Sequence, residues 1–180
     1  MSQATILYRF RIDLSDVDRG VYEQLDFRLA LHPSESILYF LTRVLAFSLN
    51  AQPDLQFSSA GLAEPDGPTV FVNEMNGRTK LWIEIGNPSI KKLHKAAKAA
   101  DEVRIYTYKD AQLIINEGQS QQVHNANQIQ IYAFDPKFLD RLGKDLPRDV
   151  RWSVLHNDRV LTVSTLDKSE ETEIKRFGFN

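Results

Sequence analysis

The sequence predicts a mixed α/β (α+β) fold, and three observations carry that reading. Apolar residues recur at every second position near the N-terminus, the period changes to that of a helix after Ser89, and Asn76-Gly77 separates two short β-rich runs. In the first region Ile6, Tyr8, Phe10, Ile12 and Leu14 alternate with polar residues, as do Leu25, Phe27, Leu29 and Leu31. This is the pattern of strands with one buried face, and the two are expected to pair as an antiparallel hairpin. His32-Pro33-Ser34-Glu35 then carries helix-start chemistry, because proline is tolerated in a first turn and a carboxylate is favoured at the positive end of the helix dipole. A largely buried helix is expected from there to about Asn50.

After Pro53, apolar runs at Leu55 to Phe57, Thr69 to Val72 and Leu81 to Ile85 predict three strands, the last two forming a hairpin across Asn76-Gly77. From Ser89, Ile90, Leu93, Ala97 and Ala100 share one helical face while Lys91, Lys95 and Lys98 fall on another. Val103, Ile105, Tyr106 and Tyr108 make a strand directly after this helix, a spacing that suits a parallel crossover. The middle of the chain therefore reads αβββαβ, with a mixed sheet. Beyond it are expected a short helix near Ala111 to Asn116, a polar loop from Gly118 to Gln128, a strand at Ile129 to Phe134 and a helix opened by Asp135-Pro136. Val150, Trp152 and Val154 alternate, and Val160 to Val163 is expected to pair back across His156 to Arg159 as a C-terminal hairpin. The charged end of the chain is expected to fray.

A chain of 180 residues suits one sizeable core, so residues 1–180 are read as a single domain. Hydrophobic residues make up 42% and charged residues 26%, which argues against long disorder or a fibrous repeat. The absence of cysteine excludes disulfides, thiolate zinc sites and thiol nucleophiles, and with no export signal at the N-terminus it points to a reducing cytoplasm. The run Ile37 to Leu49 is too short, and too interrupted by Thr42, Arg43 and Ser48, to span a membrane that requires about 20 apolar residues. A net charge of −2 leaves any nucleic-acid binding to a local basic patch.

Glu84 is the most informative position. It lies inside Leu81-Trp82-Ile83-Glu84-Ile85, where an isolated buried carboxylate is expensive and requires a partner or an open face. Alternation places it beside Trp82, toward a cleft near the end of the strand; a salt-bridged carboxylate is the plainer alternative. Asp66, in Pro65-Asp66-Gly67-Pro68, precedes the strand that hairpins into the one carrying Glu84, so the two carboxylates are placed to share a divalent cation, although turn chemistry alone also explains an aspartate there. Glu35 is explained equally by the helix dipole, and the face of Lys91, Lys92, Lys95 and Lys98 by solvation.

Taken together, a helix with Glu35, a strand entry with Asp66, a strand with Glu84 and a basic helix occur in the order that resembles the PD-(D/E)XK nuclease superfamily, with a core over about residues 33–108. That resemblance implies Asp66 and Glu84 as ligands of magnesium or manganese, with Glu35 assisting through water at the scissile phosphate. More closely, the chain resembles the YaeQ family along essentially its whole length. The residues that carry this are His32-Pro33-Ser34-Glu35, Gly61-Leu62 with Asp66 and Pro68, Leu81-Trp82-Ile83-Glu84-Ile85-Gly86, Pro88, Lys91-Lys92 and Lys95-Ala96. The resemblance implies a small bacterial protein with a variant PD-(D/E)XK fold and a link to transcript elongation, while the family name supplies no reaction.

The nuclease motif places a lysine two residues after its acidic residue, and this chain has Gly86 there. A replacement is expected from the following helix, with Lys95 or Lys91 preferred to Lys80, which lies about 13 Å along the strand from Glu84 at roughly 3.3 Å per residue. Lys95 is the residue expected near the phosphate. Two functions compete. One is a metal-dependent phosphodiesterase on DNA or RNA, using Glu35, Asp66, Glu84 and Lys95. The other is a non-catalytic nucleic-acid or transcription-complex binding module that keeps the fold and Lys91, Lys92, Lys95 and Lys98. The histidines at 32, 94, 124 and 156 lack close zinc spacings and read as surface or capping residues. No glycine-rich phosphate loop, GxSxG elbow or dinucleotide fingerprint is present.

Overall fold

The computed structural model describes residues 4–59 and 65–179, so the Gly61-Leu62 pair lies outside the described residues. The residues gather into two compact units, 1–51 with 134–174 and 52–133 with 175–180.

The first unit follows from strict alternation. Strands β1 (Ile6–Asp16) and β2 (Val21–Leu31) pair antiparallel as expected, with Phe10 opposite Phe27 and Ile12 opposite Leu25. On its other side β1 pairs parallel with the first strand of the C-terminal hairpin, Asp149–Asn157, so the two hairpins are one sheet rather than separate additions. The physical reason is shared burial: an isolated hairpin is marginal in water, and Phe10, Ile12 and Leu14 continue the same apolar face as Val150, Trp152 and Val154. The expected hairpin partner Val160–Ser164 is present, and the charged segment expected to fray instead adds a further strand, Ser169–Glu173. Helix α1 (Ile37–Leu49) and the helix Pro136–Gly143 pack together in this unit, and Phe40 meets the rings of Tyr8 and Phe10 at centroid distances of 5.3 and 5.8 Å. Asp135 caps the latter helix by accepting from the Lys137 amide, as its Asp-Pro start predicts.

Helix α1 begins later than its sequence signals suggest. Ser36 is its N-cap, accepting from the Tyr39 amide at 3.1 Å, and Glu35 lies outside the helix. A serine hydroxyl satisfies an orphan amide directly and is typically worth about 1 kcal/mol, which outweighs a carboxylate acting only through the dipole.

The second unit contains β3 (Gln56–Phe57), β4 (Val70–Asn73), β5 (Thr79–Ile85), α2 (Ile90–Ala99), β6 (Ala100–Thr107), α3 (Ala111–Ser120) and β7 (Ile129–Ala133). With α1 preceding it in the chain, the expected αβββαβ element order is present. The Asn76-Gly77 hairpin joins β4 to β5 antiparallel, and α2 is the crossover between the parallel strands β5 and β6. The C-terminal Lys175–Gly178 pairs antiparallel with β7 and closes the six-stranded sheet, whose order is Lys175–Gly178, β7, β6, β5, β4, β3. One buried cluster joins Trp82, Val103, Ile105 and Ile131 of this sheet to Leu93 and Ala97 of α2 and to Ile114 and Ile115 of α3.

Helix α3 runs through Gly118, where the sequence predicts the start of a loop. Glycine inside a helix is unfavourable by about 1 kcal/mol relative to alanine, but here a Cβ would run into the Phe179 ring, which is buried against the helix. The fold class is therefore a mixed α+β arrangement with two mixed sheets.

Candidate functional site

Alternation along β5 puts Trp82 and Glu84 on one face of the sheet, the face that carries α2. Glu84 is only 2% exposed, so the expected cleft-facing carboxylate is instead enclosed, and it is enclosed with partners. Trp82 Nε1 donates to its Oε1 at 2.7 Å, Thr69 Oγ1 donates to its Oε2 at 3.2 Å, and Lys92 Nζ lies 3.0 Å from Oε2. Burial pushes the Glu84 carboxyl upward, against Lys92, Trp82 and Thr69, which pull it down; the net direction is up from 4.5.

The lysine at this carboxylate is Lys92, where the sequence favours Lys95. The backbone explains both why it comes from α2 and why the strand has none. Gly86 adopts a left-handed φ of +78° as the chain leaves β5, with its amide donating to the Tyr106 carbonyl at 2.8 Å. An L side chain there is strained by roughly 1–2 kcal/mol. Pro88 and Ser89 then start α2, Ser89 Oγ accepting from the Lys92 amide at 3.2 Å. This cap puts Lys92 in the first helical turn, three residues after the cap, where its stem reaches back to Glu84. A lysine in that turn opposes the helix dipole, and the ion pair to Glu84 compensates it. Lys91, Lys95 and Lys98 are exposed, as the helical spacing predicts.

Asp66 is exposed in the turn three residues before Thr69, the residue whose hydroxyl contacts Glu84. Among the described residues no group of three or more His, Asp or Glu side chains is arranged to hold a metal ion. Carboxylate oxygens nevertheless suit a hard cation, and magnesium commonly takes only one or two carboxylates, leaving its other positions to water and substrate phosphate. The partners that enclose Glu84 are Trp82, Thr69 and Lys92, and Asp66 is not among them.

Glu35 belongs to the first unit and has a defined partner there. Arg43 Nη2 donates to both its carboxylate oxygens, at 3.2 and 3.0 Å, and to the Ala30 carbonyl at 3.0 Å. Both side chains are buried, 9% exposed for Arg43 and 5% for Glu35. Burial raises the Glu35 carboxyl against Arg43 and the His32 amide, and lowers the Arg43 guanidinium against Glu35.

A second polar cluster in the first unit involves a histidine that reads as surface or capping in the sequence. His156 is buried, with Nδ1 2.9 Å from Asp16 Oδ1 and Nε2 3.4 Å from Asp18 Oδ2. Asp16, fully buried, also accepts from Arg19 Nε at 2.7 Å. Its carboxyl is pushed up by burial, but His156 and Arg19 outweigh this and hold it below 3.8. A signal was available: Asp16 continues the buried alternation of Phe10, Ile12 and Leu14, His156 continues that of Trp152 and Val154, and the two are register partners.

The family model for YaeQ proteins matches residues 1–174. The chain belongs to the YaeQ family. It is 29% identical over 166 residues to the protein named Uncharacterized protein YaeQ of Escherichia coli (strain K12), covering 91% of each chain. The Salmonella typhi protein of the same name is 26% identical over 176 residues, covering 97% of this chain and 96% of the relative. The crystal structure of YaeQ protein from Pseudomonas syringae matches with a TM-score of 0.88 at 26% identity, over 99% of each chain. That of YaeQ protein from Xanthomonas axonopodis pv. citri matches with a TM-score of 0.89 over 98% of this chain and 100% of the other; at 24% identity it bears on the fold alone. No helix of the described residues is long and apolar enough to cross a membrane.

Proposed function

We propose that this YaeQ-family chain acts on the phosphodiester backbone of nucleic acid, as a magnesium- or manganese-dependent phosphodiesterase on a variant PD-(D/E)XK site. The observation that carries the reading is the 3.0 Å approach of Lys92 to Glu84, which supplies in space the acidic and lysine pair that Gly86 removes from the strand. Asp66 and Glu84 are the residues that would hold the cation, which when bound polarises the phosphoryl group and activates a water. Lys92 places a positive charge at the phosphate, and Lys91, Lys95 and Lys98 extend that charge along the exposed side of α2. Glu35 is committed to Arg43 and is given no part in the chemistry.

A second reading rests on the burial of Glu84. Its three donors, one of them cationic, already satisfy and neutralise it, which is what a non-catalytic nucleic-acid binding module on a degenerate nuclease fold would retain. Manganese titrated calorimetrically into the wild-type protein and an Asp66→Asn, Glu84→Gln double variant, followed by incubation of both with DNA and RNA oligonucleotides, separates the two. Saturable binding and cleavage that disappear in the variant support the phosphodiesterase. Nucleic-acid binding without cleavage, abolished by Lys91→Ala, Lys95→Ala substitution, supports the binding module.

A further inference from the structure

We infer that β2 is a homodimerisation edge: two copies of this chain pair antiparallel along residues 22–28, with Leu25 on the two-fold axis, and join their five-stranded sheets into one.

The hydrogen bonds of β1 fix which way the backbone groups of β2 point. The Arg9 amide donates to the Arg148 carbonyl and the Val17 amide to the His156 carbonyl, so odd-numbered residues of β1 turn their amides and carbonyls toward the strand Asp149–Asn157. Even-numbered β1 residues therefore bond to β2, and their register partners there are odd: Phe10 with Phe27, Ile12 with Leu25, Leu14 with Glu23. The backbone groups of Tyr22, Gln24, Asp26, Arg28 and Ala30 are left directed away from the sheet, because β2 is its last strand. The Ala30 carbonyl accepts from Arg43. The amides and carbonyls of Tyr22, Gln24, Asp26 and Arg28 pair with nothing among the described residues, and all four residues are exposed.

An unpaired edge is a template for another strand, and the remaining sheet edges are blunted. Ser169–Glu173 is short and carries Glu170, Glu171 and Glu173; Lys175–Gly178 has four residues and opens with Lys175 and Arg176; β3 has two residues. In contrast, β2 has eleven residues, runs against β1 without a bulge and contains neither proline nor lysine.

The free positions choose both the occupant and the register. A two-fold axis through Leu25 sets Tyr22 opposite Arg28 and Gln24 opposite Asp26 of the second copy, so every free position meets another and exchanges two hydrogen bonds with it. On the exposed face a guanidinium then meets a tyrosine ring and an amide meets a carboxylate. Asp26 brings a charge already balanced by Arg9, which donates to both its oxygens at 2.9 and 2.7 Å. On the other face Leu25 meets Leu25 and Val21 meets Leu29. Other registers lose this match. An axis through Asp26 sets two carboxylates opposite each other. One through Phe27 aligns Gln24 with Ala30, whose carbonyl is taken, and one through Gln24 leaves Arg28 facing Gly20, beyond the strand.

A ladder of this length is small beside the roughly 800 Å² per partner of a standard interface, so the dimer is expected to be reversible. Sedimentation velocity of the full chain over a wide concentration range should show the mass rising toward that of two chains. Gln24→Pro removes an outward amide while leaving the β1 ladder intact, and should abolish the rise. Gln24→Lys, facing Asp26 across the axis, should strengthen association and Gln24→Glu should weaken it; these surface changes carry the test if the proline variant does not fold. Cysteine reads the register, since the chain has none of its own. Leu25→Cys brings two thiols together in a non-hydrogen-bonded pair with Cα atoms about 4.5 Å apart, within disulfide reach, so mild oxidation should yield a covalent dimer. Glu23→Cys, on the same face, lies about 13 Å along the ladder from its copy at roughly 3.3 Å per residue and should not cross-link. A mass that stays at one chain throughout overturns the proposal. So does a dimer unaffected by the Gln24 changes, or equal cross-linking at the two cysteine positions.

Discussion

The Lys92 ammonium stands 3.0 Å from Glu84 Oε2, although the strand that carries Glu84 has glycine where a nuclease motif would place lysine. The two facts share a cause in the turn between β5 and α2. That turn requires a left-handed residue at position 86 and delivers the first helical turn directly back over the carboxylate.

Removing the ammonium should expose what it balances. In Lys92→Met, Glu84 stays buried with two neutral donors, and breaking a largely buried pair typically costs about 3 kcal/mol or more. The sign with pH follows from the raised Glu84 carboxyl, whose folded value lies above its ordinary 4.5. Such a group favours the fold fully below its unfolded value, and that contribution is lost as pH rises through the folded value. Loss of Lys92 raises the carboxyl further, so the variant is expected to lose more stability than the wild type as pH rises above 4.5 in urea unfolding.

The Glu35–Arg43 pair should behave as a structural unit. Each single change, Glu35→Leu or Arg43→Met, leaves one buried charge unpaired and is expected to destabilise by roughly 3–5 kcal/mol, while the double change costs far less than the sum. Urea midpoints for the four proteins of the cycle measure this. Additive single effects would restore Glu35 as a candidate functional carboxylate.

Asp16 contributes with the opposite pH sign. Its folded carboxyl lies below 3.8, so the stabilisation is present above that value and is lost as pH falls through the folded one. Asp16→Asn is expected to lower stability at pH 7 by about 2–3 kcal/mol, since hydrogen bonds to charged partners are the strong ones, and to flatten the acid limb of a stability curve between pH 7 and pH 2.

The exposed lysines should matter to binding and not to folding. Replacing Lys91, Lys95 and Lys98 with alanine is expected to leave the melting temperature within the small range of surface substitutions. Nucleic-acid affinity should fall, and the slope of log affinity against log salt should drop by roughly 0.9 for each duplex phosphate that the variant no longer neutralises. Titrations at several salt concentrations read out both effects.

Gly118→Ala tests the packing of the chain end. Alanine is the better helix former, yet its methyl group meets the buried Phe179 ring. Overpacking of this kind costs about 1–3 kcal/mol, enough to exceed the helical gain, and a Phe179→Ala background should reverse the sign.

Much of this fold is legible in the sequence because it is encoded locally. Alternation marks β1 and β2, Asn76-Gly77 marks the β4–β5 hairpin, and the change of period after Ser89 marks α2 with its exposed lysines; each rests on residues within a few positions of one another. Glu84 stands out for the same reason, as an acid inside an apolar strand that demands a partner. The sequence by itself thus determined most element types up to Ser164, the antiparallel hairpins, the family and the carboxylate that needs explaining.

Tertiary structure decided the partners. That β1 pairs parallel with the strand Asp149–Asn157, that the charged C-terminal segments become strands, and that Asp16 meets His156, 140 residues further along the chain, are pairings that no local pattern specifies. Which lysine reaches Glu84 was likewise decided by the rotation of α2 after the Gly86 turn and the Ser89 cap. Helical spacing ranks lysines by face, but only the angle at which that helix leaves the strand brings the Lys92 ammonium, rather than that of Lys95, to a buried carboxylate.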